Sequence, residues 1–208
     1  MKPIAMLKHL LRRTPAPPWE EAVYWALDLE TSGLKPEDQI LSVGMIPIRG
    51  GAIRYGEHFY SLVRPERFDT LSLEGLRAHH IRPFELRQAP ELCQVLTEVQ
   101  RRLEAGILLV HHAPVDVAFL KRAYARCGLS WPEPQVADTL KLLQKLGQRR
   151  AVLEPHAAPP PGNLGEARAF LGLPPYTAHH ALTDALATAE LFLALRARLG
   201  ARTLRELV

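Results

Sequence analysis

The stretch from Tyr24 to Leu34 constrains this chain more than any other. It begins as an apolar run, places Asp28 and Glu30 two residues apart, and breaks at a Ser-Gly pair. Because side chains alternate along a strand, both carboxylates point to the same face if the strand continues through them. Two buried like charges repel each other and are costly to desolvate, and a divalent cation removes that cost. Taken alone, the stretch is typical of a strand ending in solvated acids, and the rest of the chain favours the alternative, a strand ending at a Mg²⁺ or Mn²⁺ site.

The bulk composition is that of an ordinary globular protein. The 208 residues are 47% hydrophobic and 23% charged, and no apolar run approaches the roughly 18 residues that cross a bilayer. The basic N-terminus has its apolar residues interrupted by charge, so we expect neither a signal peptide nor a membrane association. A net charge of +4 permits a polyanionic partner. Cys93 and Cys127 both lie in helix-like sequence, so we expect no disulfide and a cytoplasmic location.

The chain divides into a short appendage and one domain. Residues 1–18 predict a basic helix followed by a stiff Pro-rich linker, and we interpret them as an N-terminal extension without a specific role. Residues 19–208 form the predicted domain. One domain is the expected number for this length.

The pattern of apolar residues predicts an α/β fold with a mixed five-stranded sheet flanked by helices. The strands are predicted at Tyr24–Glu30, Gln39–Ile48, Ile53–Val63, Ile107–Val110 and Gln135–Ala137, with a hairpin turn at Arg49–Gly51. Helices are predicted at Pro90–Leu103, Val115–Cys127, Thr139–Leu146, Leu164–Leu171 and Ala178–Leu199. Five large apolar residues are predicted to be core: Phe119, Leu120, Phe170, Leu191 and Phe192.

Three separated segments carry a family resemblance. They are Asp28–Leu34 (DLETSGL), Val110–Leu120 (VHHAPVDVAFL) and His179–Ala185 (HHALTDA). In this order they resemble the three motifs of the DnaQ-like 3′→5′ exonucleases, the His-containing (DEDDh) branch of their superfamily. The resemblance covers about residues 22–199 and implies a ribonuclease H-like fold. It departs from the family in the second motif, where His112 and Val115 stand in place of Asn and Phe.

The resemblance implies a two-metal site. Four carboxylates would hold two divalent cations, Mg²⁺ or Mn²⁺: Asp28, Glu30, Asp116 and Asp184. Attack on a phosphodiester builds charge on the entering and leaving oxygens, and two cations roughly 3.5–4 Å apart can stabilise both.

The same resemblance makes His179 the general base, a task suited to a side chain that titrates near neutral pH. His179 precedes Asp184 by five residues, which rotates a regular helix by about 140° from the starting face. Both can reach one site only if His179 lies before the helix or in an irregular first turn. We expect it on the mobile lip of the site. His180 is the alternative base, because the tyrosine branch of the superfamily carries its Tyr at that position.

Three residues are candidate substrate contacts: Leu34, His79 and Thr31. Leu34 matches an apolar residue that abuts the 3′-terminal base in relatives, with a small core contact as the alternative. His79 matches the start of a His-Gly-Ile segment near the nucleotide, and a simple surface histidine is the alternative. Asp138 follows a strand near the other acids, and we interpret it as a helix cap rather than a metal ligand.

The resemblance therefore predicts a metal-dependent 3′→5′ exonuclease. It would hydrolyse single-stranded DNA ends to nucleoside 5′-monophosphates, in DNA proofreading or repair. The alternatives are an RNA-trimming exonuclease similar to oligoribonuclease or ribonuclease T, and an inactive module that binds nucleic acid or a polymerase. The chain ends soon after the last predicted helix, which favours a freestanding enzyme and leaves a DNA polymerase partner as the alternative.

Overall fold

A mixed sheet forms the centre of the computed structural model, which describes residues 16–208, the side chain of residue 74 aside. Within that range the sheet has six strands: β1 (Tyr24–Thr31), β2 (Ile40–Arg49), β3 (Ala52–Ile53), β4 (Phe59–Leu62), β5 (Ile107–Val110) and β6 (Val136–Asp138). The spatial order is β3-β2-β1-β5-β6, and β4 also pairs with β2. β1 runs antiparallel to β2 and parallel to β5, and β5 runs parallel to β6. The predicted mixed sheet flanked by helices is confirmed.

Seven α-helices surround this sheet in the described part of the chain. They are α1 (Leu73–Ala78), α2 (Pro83–Gln88), α3 (Leu92–Leu103), α4 (Ala113–Arg126), α5 (Thr139–Leu153), α6 (Leu164–Phe170) and α7 (Ala181–Leu199). The side chain of Asn163 caps α6. α7 begins three residues later than predicted, and α5 ends seven residues later, at Leu153. Among residues 16–208, no helix is both long and apolar enough to cross a membrane.

Alternation along β1 divides the core into two layers. Tyr24 and Ala26 pack with apolar side chains of α5, α6 and α7, whereas Trp25 and Leu27 pack on the opposite face with those of α3 and α4. Because the alternation continues, Asp28 and Glu30 lie on the α7 side of the sheet. The strand therefore aims both carboxylates at the helix that carries the third motif.

A proline explains why one predicted strand is two. Ile53–Val63 was predicted as a single strand, but β3 and β4 are separated by a short 3-10 turn at Tyr55–Glu57. Pro47 of β2 has no N–H to donate to a neighbouring strand, although its carbonyl accepts the N–H of Arg54 at 2.9 Å. The ladder breaks there and resumes where Met45 pairs with Phe59.

Two further predictions are wrong. Cys93 and Cys127 form a disulfide, because the start of α3 and the end of α4 pack side by side and bring their Cα atoms to 5.4 Å. That packing is not visible in two positions 34 residues apart. Phe170 is not core but 37% exposed, since it lies at the end of the short helix α6, with Arg150 over its ring. Phe119, Leu120, Leu191 and Phe192 are buried, as predicted.

The predicted extension lies mostly outside the described residues, because residues 1–15 are not described. At its end, the carbonyl of Pro17 accepts a hydrogen bond from the N–H of Leu204 at 3.0 Å, and Pro18 bridges to Thr203. Trp19 is buried against Tyr24 and Phe192. The division at residue 18 stays a prediction.

Gly44 allows α7 to approach the sheet. It lies on β2 directly opposite Asp28, and a Cβ there would be 2.3 Å from the main-chain carbonyl of Ala181 and 2.4 Å from the amide nitrogen of Leu182. Real side chains do not tolerate contacts this short, so only glycine fits. The first turn of α7 therefore rests on the backbone of β2.

We expect Gly44→Ala to lower the free energy of unfolding by about 1–3 kcal/mol or more, because the added methyl group displaces the first turn of α7. Gly56→Ala is the matched control, since a Cβ at Gly56 meets nothing within 4 Å. Denaturant titration of both variants measures the difference. Equal stability of the two variants would show that α7 does not depend on this approach.

Candidate active site

The carboxylates of the first and third motifs meet at one end of β1. One oxygen each of Asp28, Glu30 and Asp184 lies within 4.8 Å of the others. β1 extends through Thr31, so the predicted common orientation of Asp28 and Glu30 holds. The pairing with β2 shifts between Glu30 and Thr31, which ends the regular strand directly after the second carboxylate. Three of the four predicted acids are therefore brought together.

The fourth acid comes from the opposite layer. Asp116 lies in the first turn of α4 and is only 8% exposed. It does not belong to the group of three within 4.8 Å, but its charge is one of those that raise the pKa of Asp28. The helix that carries it starts at the end of β5, the parallel neighbour of β1. The site is thus built by elements from both faces of the sheet.

Burial and mutual repulsion raise the pKa values of these carboxyl groups. The pKa of Asp28 is raised well above its ordinary value by burial, and then by the charges of Asp116, Glu30 and Asp184. Burial also raises the pKa of Asp116 to about 7, with contributions from Asp138 and Glu30, against a lowering by its own backbone N–H. A cluster of this kind is costly when ionised and uncompensated.

The donor set fits hard divalent cations. All four groups offer carboxylate oxygens, the ligand type that Mg²⁺ and Mn²⁺ prefer. Glu30 is 4% exposed, and among the described residues its Oε1 has no hydrogen-bond partner. A buried carboxylate oxygen without a donor is expensive, and a bound cation would satisfy it. All four acids are suitable ligands for these cations, although only Asp28, Glu30 and Asp184 have oxygens within 4.8 Å of one another.

His179 stands before α7, as the spacing required. The helix begins at Ala181 with His180 at its N-cap, and His179 has a left-handed backbone with φ of 68°. Its N–H donates to Oδ2 of Asp184 at 2.7 Å, which ties the preceding loop to the carboxylate. Its side chain is exposed, and its ring centroid is 5.9 Å from that of His79. The expected mobility of this lip stays a prediction.

His180 is held away from that position by its own contacts. Its ring stacks on Tyr60 of β4, with centroids 4.9 Å apart and planes 19° apart. Its Nδ1 lies 3.4 Å from Oγ1 of Thr183. One ligand atom of His179 lies within 4.8 Å of a Glu30 oxygen, whereas His180 belongs to no such group. Geometry therefore favours His179 over His180 as the histidine of this site.

His79 is more than a surface histidine. It caps the C-terminus of α1, is largely buried, and places Nδ1 against Oε2 of Glu30 as an ion pair. This contact is the main cause of its raised pKa, which burial opposes. The simple surface alternative is wrong, and the substrate role stays a prediction. Sequence reasoning missed the pairing with Glu30, because nothing in the spacing of residues 30 and 79 indicates it.

The loop after β1 presents Leu34 to solvent. Thr31 Oγ1 donates to the carbonyl of Gly33 at 2.8 Å, and Asp38 accepts from the Ser32 hydroxyl at 3.0 Å and from the Lys35 N–H at 2.7 Å. Leu34 is 80% exposed at the end of this braced turn. The core-contact alternative for Leu34 is therefore wrong. The substrate contacts predicted for Leu34 and Thr31 stay predictions.

Asp138 caps two helices, which confirms its predicted capping role. Its Oδ1 accepts from the N–H of Leu140 at 2.9 Å, at the start of α5, and from that of His112 at 3.1 Å. Its Oδ2 accepts from the N–H of Ala113 at 3.1 Å, at the start of α4. Both oxygens are thus used by backbone donors. The carboxylate holds α4 in the position that aims Asp116 at β1.

The comparisons with known proteins agree with this fold and these motifs. The RNase T family model, described as exonuclease, matches residues 25–192. The chain therefore belongs to this exonuclease family. Its relatives place it with the DnaQ-like 3′→5′ exonucleases, as the three motifs predicted.

Two curated relatives and one solved structure illustrate the likeness. The PolC-type DNA polymerase III of Thermotoga maritima is 32% identical over 175 residues, which are 83% of this chain and 12% of that protein. The DNA polymerase III subunit epsilon of Treponema pallidum is 28% identical over 179 residues, or 83% of this chain and 76% of that protein. E. coli exonuclease I in complex with a dA16 oligonucleotide shares the fold, with a TM-score of 0.70 and 16% identity over 86% of this chain and 42% of that chain. This chain thus spans about an eighth of its PolC-type relative.

We expect the carboxylate cluster to make stability fall with pH when cations are chelated. Because the pKa of Asp116 rises from 3.8 to about 7 on folding, its contribution to stability is present below 3.8 and is lost as pH rises to about 7. Denaturant unfolding in EDTA across this range measures the effect as the difference between the wild type and Asp116→Asn, which cannot ionise. Added Mn²⁺ should reduce the pH dependence of this difference, because a bound cation compensates the ionised carboxylate. An identical pH dependence of the two proteins would contradict it.

Proposed function

We propose that this chain is a metal-dependent 3′→5′ exonuclease that hydrolyses single-stranded DNA ends and releases nucleoside 5′-monophosphates. One observation carries the proposal: carboxylates at positions 28, 30 and 184, far apart in sequence, lie within 4.8 Å of one another, beside a buried fourth acid and an exposed imidazole. Family membership supplies the reaction class. The geometry supports a site for cleaving a phosphodiester at a chain end.

Asp28, Glu30, Asp116 and Asp184 would hold two divalent cations, Mg²⁺ or Mn²⁺. When bound, the cations supply charge stabilisation for the attacking and leaving oxygens. The carboxylates act as ligands rather than as acids, because their shared burial makes the ionised cluster stable only with a compensating charge. Asp116 completes the set from α4.

His179 would take the proton from the attacking water. An imidazole suits this step because its ordinary pKa lies near neutral pH. The exposed ring has room to approach a bound substrate from the solvent side, and the hydrogen bond from its own N–H to Asp184 keeps its backbone beside the cluster. The proton can then leave to solvent from the same exposed ring.

Leu34, Thr31 and His79 would position the terminal nucleotide. Leu34 offers an exposed apolar surface on a braced turn directly after the carboxylates, a suitable partner for a base face. A net charge of +4 suits a polyanionic strand. E. coli exonuclease I, which shares the fold, was crystallised with a dA16 oligonucleotide, so a DNA strand is a suitable ligand for this fold.

The cellular role that we propose is DNA proofreading or repair, with a DNA polymerase as a partner in the first case. The relatives named as DNA polymerase III PolC-type and subunit epsilon support this role. Such a role places the protein in the cytoplasm. Disulfides are rare in that compartment except in organisms that grow at very high temperature. The bond between Cys93 and Cys127 is therefore unusual for this location.

We expect the purified protein to release mononucleotides from a labelled single-stranded DNA in Mn²⁺, and Asp28→Ala to abolish the release because the cluster loses a shared ligand. Matched DNA and RNA strands with unpaired, paired or mismatched 3′ ends are degraded side by side. Faster degradation of RNA than of DNA would show that RNA, rather than DNA, is the preferred substrate. Equal release by the wild type and Asp28→Ala would assign the activity to a contaminant, and no release by either would leave only a binding module.

The two neighbouring histidines allow a second test of the same reaction. We expect His179→Asn to lower kcat by about 10²–10⁴-fold, the usual contribution of a general base. Asparagine tolerates the left-handed backbone of position 179, so the loop keeps its shape. His180→Asn should change kcat far less, because His180 stacks on Tyr60. The opposite order of the two effects would make His180 the base.

A further inference from the structure

A second cluster of potential ligands lies beside the carboxylates and differs from them in chemistry. One ligand atom each of Glu30, His79 and His179 lies within 4.8 Å of the others. The three residues come from different segments: the end of β1, the C-terminus of α1 and the residue before the N-cap of α7. Glu30 belongs to both groups. The roles proposed above use these three side chains separately and leave their convergence unexplained.

We propose that Glu30, His79 and His179 form a binding site for a borderline transition-metal cation such as Zn²⁺, and that its occupation inhibits hydrolysis. Two imidazoles and one carboxylate are a ligand set that suits Zn²⁺, whereas Mg²⁺ prefers oxygen ligands and retains its waters. The site is therefore selective against the cations that the four carboxylates would hold.

The three ligand atoms lie within 4.8 Å of one another, and a bound Zn²⁺ would draw them closer. Ligand atoms around a tetrahedral Zn²⁺ stand about 3.3 Å apart when the bonds are about 2.0–2.1 Å long. The ion pair between His79 Nδ1 and Glu30 Oε2 already brings two ligands together. His179 is exposed and lies edge-on to the His79 ring, with planes at 76°, so its side chain has room to turn toward the other two ligands. A water molecule would supply the fourth ligand.

A second observation points to a cation at this place. Nδ1 of His79 is buried and has no hydrogen-bond partner among the described residues. Oε2 of Glu30 lies against this nitrogen. A cation bound between this nitrogen and the Glu30 carboxylate would satisfy both groups. Glu30 can thus serve the carboxylate cluster on one side and the histidines on the other.

Inhibition follows from two shared groups and rests on the proposed function. A cation bound to His179 occupies the ring nitrogen that would accept the proton of the attacking water. The same cation also binds Glu30, which is a proposed ligand of the two catalytic cations. Excess Mg²⁺ relieves only the second effect, because Mg²⁺ does not compete for imidazole.

Calorimetric titration of the full chain with Zn²⁺ in excess Mg²⁺ tests the site without reference to activity. The variants are His79→Asn and His179→Asn, with His80→Asn as the matched control. His80 neighbours His79 but is exposed, and its left-handed backbone suits asparagine. We expect both cluster variants to weaken Zn²⁺ binding by at least about 10-fold, while the control retains the wild-type affinity. Circular dichroism confirms that each variant is folded.

Unchanged Zn²⁺ affinity in folded His79→Asn or His179→Asn would overturn the site, as would displacement of Zn²⁺ by excess Mg²⁺. The nuclease assay forms the second arm. Zn²⁺ should inhibit the wild type and His80→Asn in Mg²⁺, and the residual activity of His79→Asn should resist Zn²⁺ by at least about 10-fold. Zn²⁺ binding without any nuclease activity would refute the proposed function and leave the site standing. Activity that Zn²⁺ does not affect would overturn the inhibition.

Discussion

The close approach of α7 to β2 is the constraint on which the site depends. At Gly44 the first turn of the helix rests on the backbone of the sheet, opposite Asp28 on the neighbouring strand. A side chain at that position would push away the turn that carries Asp184. The missing Cβ therefore sets the distance between the first and third motifs. Backbone contact leaves little freedom, which suits a site that must hold its ligands at fixed distances.

The site concentrates like charge where the sheet ends, and the fold opposes that charge with few donors. Burial raises the pKa values of Asp28 and Asp116, and repulsion within the cluster adds to the effect. Asp138 differs from them in its hydrogen bonds, because its two oxygens accept three backbone N–H groups. Neighbouring acids thus differ in the number of hydrogen-bond donors that they meet. Those without enough donors are available for cations.

Glu30 links the carboxylates to the histidines. It faces His79 on one side and belongs to the group with Asp28 and Asp184 on the other. His179 joins the same neighbourhood through a backbone hydrogen bond to Asp184. Binding of a cation to the histidine cluster therefore affects the carboxylate cluster, and the reverse also holds. This shared carboxylate connects the proposed hydrolysis with its proposed inhibition by a borderline cation.

The sequence by itself determined the motifs and the local structure around them. Alternation along β1 fixed the common face of Asp28 and Glu30, and the spacing before Asp184 required His179 to lie before the helix or in an irregular first turn, because both follow from the geometry of a single element. Only the tertiary structure decided which distant residues meet: His79 with Glu30, Gly44 with the first turn of α7, and the two cysteines in a disulfide. Those contacts join residues from separate elements, and side-chain periodicity within one element carries no information about how two elements pack.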